Sequence, residues 1–471
     1  MMKSAARDLM RKSILWCVAT LAFGLLFSCS KPSEAPPPSA PTPELAAPKE
    51  TPPAAPTQEV SAPKEETPRE KVVVTFWHAM SAKHQECITE IIKAFEMANP
   101  DIDVQDVYQG DYTTLNQKVV AALTTSPPTL AQMYESWTTQ YLERKRLVPV
   151  QNFFSGPDGF TKEELEDIPA VFRQDSTWGQ TMVTIPFNKS AYVLFYNEDM
   201  LKRAGFDGPP KTWDEMREMA IKLTVTPPGA PKPEVYGLGI RSNIESFTTQ
   251  LYLNDGSYMD RDFKQLLFNS KEGLEALQSL ADLAHKDHVA MVDPAYFNGP
   301  FGSEKIAMYT GSTAAFPFND KAVGNKFTWR AAPMPHATGK KGRTLFQGTN
   351  VGMFAGKSEA EQRAGWKFIK FLTNTENSAK WAIATGYLPI RYSAIKTDVF
   401  QKYMASNPNY KVAVDLIDNA VFEPRQAYWE TMRQEINREV ESALNGRKSP
   451  AEALQAAFDG CQKALKEAQQ Q

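Results

Sequence analysis

The run Ser190-Ala-Tyr-Val-Leu-Phe-Tyr-Asn197 constrains this chain more than any other stretch. From Tyr192 to Tyr196 every residue is aliphatic or aromatic, a density that suits a strand covered on both faces rather than an amphipathic helix. Such a strand needs a layered α/β body around it. Just before it, Pro186-Phe-Asn-Lys-Ser190 puts small and polar groups where a backbone would pass between two bodies. The strand therefore reads as leaving one lobe and entering another. After it, Asn197 opens a helix that stops at Gly205, and Thr212 with Glu215 three residues later forms a capping box for the next helix.

The first seventy residues do not belong to that body. Lys3, Arg7, Arg11 and Lys12 form a basic start, Ser13 to Phe27 is an apolar run short for a membrane span, and Leu26-Phe-Ser-Cys29 follows. That ending resembles the bacterial lipobox, so residues 1–29 read as a lipoprotein signal peptide with Cys29 as the lipidated residue. Ser30 to Glu70 is rich in Pro, Ala, Glu, Lys and Thr with almost nothing to bury, a composition that stays an extended tether. The expectation is an exported body leashed to a membrane. A net charge of −3 and a pI near 6.1 argue against nucleic-acid binding. Export permits a disulfide between Cys87 and Cys461, and two buried or free thiols are the default.

From Lys71 onward strands and helices alternate. Lys71–Trp77 is a buried strand, His84–Asn99 a helix whose apolar face carries Ile88, Ile91, Ile92 and Phe95, Asp103–Tyr108 a second strand, and Thr129–Met133 a third, ending at Tyr134-Glu135-Ser136. This alternation predicts a parallel sheet with ligand groups at its carboxyl rim, where His78, Tyr112 and Glu135 would sit. Further on, Gly237–Ile240 and Lys305–Thr310 read as strands, Ser270–His285 and Glu359–Thr373 as helices, and Leu345–Ala355 as a strand region containing Gln347-Gly-Thr-Asn350.

Taken in order, FWHAM at Phe76–Met80, QGDYTTLNQKV at Gln109–Val119, QMYES at Gln132–Ser136, PFNKS with LFYNEDMLKRAG, PPKTWDEM, the Glu304–Thr313 strand and TGYLPI at Thr385–Ile390 resemble the extracellular solute-binding proteins of bacterial ABC importers. Within that family the chain is most similar to members that bind sn-glycerol-3-phosphate and glycerophosphodiesters. The resemblance implies a two-lobed periplasmic-binding-protein fold of type II, α/β, with each lobe a sheet flanked by helices and the ligand cleft between them. By analogy the first lobe is 71–186 plus 333–372 and the second 187–332 plus 373–471. It implies a monomer that hands its solute to permease subunits, with no chemical transformation and no cofactor. The family's binding positions fall on Tyr112, Glu135, Ser190, Ser312 or Thr313, Gly348, Tyr387 and Arg425.

Each position has a physical reason. Arg425 would hold a phosphate bidentately, and Gly311-Ser312-Thr313 would offer hydroxyls and free N–H groups to an anion. Gly348 admits close backbone approach, Glu135 would accept from solute hydroxyls, and Tyr112 and Tyr387 offer apolar faces with polar tips. The chain departs from the family at Gly239–Gly256, where tryptophans are missing and Arg241 appears. A carbohydrate is the alternative solute, with Trp77, Trp137 and Trp178 as stacking faces. Enzyme readings find less support: His285 and His288 lack a third ligand, and HExxH, Gly-x-Ser-x-Gly and Walker patterns are absent. A glycoside hydrolase would need a carboxylate partner for Glu135.

Overall fold

The computed structural model describes residues 70–156 and 158–470; the segments expected to be a signal peptide ending at Cys29 and a tether lie outside the described residues. Strands β1 (Val72–His78), β2 (Ile102–Tyr108) and β3 (Leu130–Met133) run parallel in the order β2-β1-β3, joined by helices Lys83–Ala98 and Tyr112–Ala122. The first helix buries Cys87, Ile88, Ile91, Ile92 and Phe95 against this sheet, the stripe its spacing predicts. Each large apolar side chain so buried contributes about 1.5–3 kcal/mol of transfer free energy. Next come β4 (Leu147–Val148), a small hairpin of β5 (Thr177–Trp178) and β6 (Thr181–Met182), and β7 (Ile185–Pro186).

The chain then crosses over. Strand β8 (Ser190–Asn197) is buried at every residue and forms the centre of a second sheet. β9 (Tyr236–Arg241), β10 (Ala290–Asp293) and β11 (Ile306–Ser312) lie parallel to one another on one side of it, with β11 antiparallel to β8. β12 (Trp329–Ala332) and β13 (Thr344–Gln347) both pair antiparallel with β8. A second crossing at Gly348-Thr349 returns the chain to the first sheet, where β14 (Asn350–Phe354) inserts between β3 and β4, antiparallel to both, and also pairs with β7. β15 (Ala420–Val421) completes the second sheet beside β13. Helices Ile244–Leu253, Lys271–His285, Trp429–Leu444 and Pro450–Gln469 pack together in the second lobe.

Several expectations need correction. Both sheets are mixed, because the crossing strands enter against the parallel run. Leu345–Ala355 is broken at Gly348, so its halves serve different sheets and the second lobe extends beyond residue 332 to Gln347. Nor does the second lobe resume at 373. Helix Thr375–Thr385 packs on Lys83–Ala98, Lys380 reaches Glu90 at 2.9 Å, and Arg391 donates to Glu164 O at 2.8 Å. The return is complete only where Asn409 accepts from Ala331 N of β12 at 2.8 Å. At the helix beginning at Trp213, Thr212 accepts from Glu215 N, but the Glu215 carboxylate bonds Lys211 N rather than Thr212 N, so the capping box is half formed. Cys87 and Cys461 are both free and buried in different cores.

Candidate functional site

The two crossings run side by side, since Phe187 N and Asn188 N both donate to Thr349 O at 3.3 Å. Gly348 makes this possible. Its φ is +120°, and a Cβ there would stand 1.9 Å from Asn188 O. Beside the crossings, between the sheets, lies a cavity of about 530 Å³ lined from both lobes, within the range of small-molecule sites.

The first-lobe wall grows from the carboxyl ends of β1 and β3. Tyr112 starts the helix after β2, with Asp111 as its N-cap, and its hydroxyl accepts from Asn188 Nδ2 at 2.7 Å and lies 3.5 Å from the Tyr387 hydroxyl. Gln132 of β3 donates to Asn188 Oδ1 at 3.1 Å and accepts from Ala79 N at 2.9 Å, so one amide ties the wall to the crossing. Tyr134 packs edge-on to Trp137 with ring centroids 5.0 Å apart. Glu135 is the first residue of helix Glu135–Glu143 and accepts from Lys189 Nζ at 2.8 Å. Burial pushes its carboxyl up to about 8, Asp175 beside it adds to the rise, and Lys189 opposes it.

On the second-lobe wall stand Ser190 and Gly348 of the crossings, Ser312 at the end of β11, and the charged side chains Arg433, Glu423, Glu245 and Arg241. Arg433 is held between two carboxylates: its Nε donates to Glu423 at 2.9 Å and its Nη2 to Glu245. Glu423 also accepts from Trp429 Nε1 at 3.1 Å. Burial pushes both carboxyls up. At Glu245 that rise is outweighed by Arg433, the adjoining backbone and Arg241, which hold it below the usual carboxylate range, whereas Glu423 remains raised despite Arg433. Arg241 donates twice to Pro294 O and covers the Tyr296 ring at 4.3 Å; among the described residues no carboxylate comes within ion-pair distance of it.

Of the residues singled out from the sequence, Tyr112, Glu135, Ser190, Ser312, Gly348 and Tyr387 line this one cavity. Thr313 does not: it is fully buried, and its hydroxyl accepts from Ala191 N at 3.4 Å. Arg425 does not either. Its Nη1 donates to Gln174 O at 2.9 Å and Thr177 O at 2.6 Å, and its guanidinium lies 5.3 Å from the Trp178 ring, so these bonds to the β5–β6 hairpin region hold it away from the cavity. Trp178 is thereby occupied as well, and Trp77 packs in the first lobe; of the three proposed stacking faces only Trp137 lines the cavity. Lys189, Arg433, Glu245, Glu423 and Trp429 were missed. Lys189 carried a signal, as a lysine inside a crossing of otherwise small groups, while Arg433 looks like any charged residue on a surface helix. His285 bonds Leu444 O at 3.0 Å and His288 sits beyond the helix end at φ +55°, so they do not form a pair.

A family profile described as bacterial extracellular solute-binding protein matches residues 90–409. The chain belongs to this family. It is 27% identical over 409 residues to the sn-glycerol-3-phosphate-binding periplasmic protein UgpB of Salmonella typhimurium, covering 82% of this chain and 91% of that one. Its fold matches the crystal structure of UgpB from Mycobacterium tuberculosis in complex with glycerophosphocholine with a TM-score of 0.75, at 22% identity over 84% of this chain and 98% of that one. The GacH receptor of Streptomyces glaucescens, solved unliganded and with acarbose, matches with a TM-score of 0.72, also at 22% identity, over 84% and 99% of the two chains. These folds are those of two-lobed type II binding proteins, as the two sheets and intervening cavity here require.

Proposed function

We propose that this extracellular solute-binding protein serves an ABC importer, and that its solute is a glycerol phosphate, preferably a phosphodiester carrying a single negative charge. The observation that carries the reading is the charge pattern of the cavity. Arg433 at the cavity and Lys189 behind it are each matched by two carboxylates, whereas Arg241, which lines the cavity, has none within ion-pair distance among the described residues. A single phosphate charge suits Arg241; a dianionic monoester would also face Glu245, Glu423 and Glu135. The glycerol hydroxyls suit Glu135 and the Tyr112–Tyr387 pair. Delivery to a permease follows from the family.

The test is calorimetric titration of protein unfolded and refolded to strip carried solute, against glycerophosphocholine, glycerol-3-phosphate and maltotriose. Glycerophosphocholine is expected to bind most tightly, and Arg241→Ala to weaken it by about 1.5–3 kcal/mol, the range for hydrogen bonds to a charged group. A response to maltotriose alone would transfer the protein to the carbohydrate reading, which the carboxylates and the ring of Trp429 also suit. The lipid anchor is proposed from residues outside the described part of the chain; Cys29→Ala is expected to move the protein from the membrane fraction to the soluble exported one.

A further inference from the structure

Lys189 lies in the first crossing with its side chain fully buried. Its ammonium donates to Glu135 Oε1 at 2.8 Å, to Asp175 Oδ2 at 2.5 Å and to the carbonyl of Gly348 in the second crossing at 3.1 Å, and the Phe422 ring covers it at 4.9 Å. An ammonium has three protons, and all three are used. Glu135 and Gly348 line the cavity; Lys189 and Asp175 stand behind them.

We propose that Lys189 is a positioning residue for solute capture: one buried ammonium fixes the Glu135 carboxylate of the first-lobe wall and the Gly348 backbone of the second-lobe wall, which arrive from distant parts of the chain, relative to one another. This rests on the reading of the cavity as the solute site. With Oε1 held from behind, the orientation in which Glu135 meets a solute hydroxyl is set by the ammonium. Asp175 gives the cluster a second property. Two carboxylates share one cation, so the cluster holds an excess negative charge when both are ionised. Burial and Asp175 raise the Glu135 carboxyl while Lys189 lowers it; Tyr134 adjoins it, and Arg433 and Glu245 face Tyr134 from the other wall. Lys189 and Asp175 therefore pull the Glu135 titration in opposite directions.

The experiment follows the Glu135 carboxyl carbon by NMR across pH in the solute-free full chain, with Glu135→Gln assigning the signal. Lys189→Met is expected to move the midpoint up by about 1–3 pH units, the usual size for losing an adjacent opposite charge, and Asp175→Asn to move it down. Asp175→Asn retains the ammonium, so it keeps the test decisive if Lys189→Met does not fold. A midpoint that neither variant moves, or that both move the same way, overturns the inference. Calorimetry then reads the role in capture: Lys189→Met is expected to weaken glycerophosphocholine on the order of tenfold, about the size of one charged hydrogen bond, with its pH dependence following the shifted midpoint. Unchanged affinity with a shifted midpoint would refute positioning. Wild-type protein that binds neither glycerophosphocholine nor maltotriose would instead overturn the solute reading, and with it the capture role, while leaving the titration behaviour of the cluster established.

Discussion

Glu135 holds its proton more tightly in the folded chain than in an unfolded one, from about 4.5 to about 8, and this has a sign for stability. Between those values the folded state binds more protons, so the contribution of Glu135 to stability falls as pH rises through the window. Glu135→Gln is expected to flatten that fall in urea melts taken from pH 5 to 8. Arg425 makes the contrasting case. Its bonds go to two backbone carbonyls and its face to Trp178, so Arg425→Ala is expected to leave solute affinity within about threefold while costing stability of about 0.5–1.5 kcal/mol through the lost hydrogen bonds, whose carbonyls water can reach. That Tyr112, Glu135, Gly348 and Tyr387 lie at one cavity was legible because short motifs carry them. The direction of Arg425 was not, since it is set by carbonyls of a hairpin region far away in sequence.

At the scale of elements, β8 was the most legible part of the chain. An unbroken apolar run leaves it only a central place in a sheet, and every residue of it is buried. The break between β13 and β14 was not legible, because both halves are apolar and their shared segment looks like one strand; only the partners available to each side divide it. Gly348 makes that division sterically possible. Gly348→Ala is expected to cost about 3 kcal/mol or more, from a left-handed φ and a contact with Asn188 O that has no room to relax. Equilibrium unfolding in urea checks the magnitude, and binding should fall with it, since the same residue lines the cavity.

Across the whole molecule, the family resemblance conveyed two lobes but placed their limits too simply. Apolar periodicity identifies which face of an element is buried and is silent about which lobe it is buried in, and so helix Thr375–Thr385 was assigned to the wrong side. The cysteines belong to this scale too. Cys87 and Cys461 sit in separate cores, where burial pushes their thiols up to about 11 and about 12, so alkylation followed by peptide mass spectrometry is expected to find both unmodified in the native protein and both modified after unfolding without reductant. The insertion of β14 between β3 and β4 also governs the order in which the protein can come into being. During synthesis, the first lobe lacks a middle strand until the second lobe's sheet has been almost wholly translated. A nascent N-terminal portion therefore presents open edges and no finished core, and the non-local pairing delays its closure. Until Asn350–Phe354 has been made, β3 and β4 have no strand to join them, so the first lobe is the part of the polypeptide that closes last although it is the part made first.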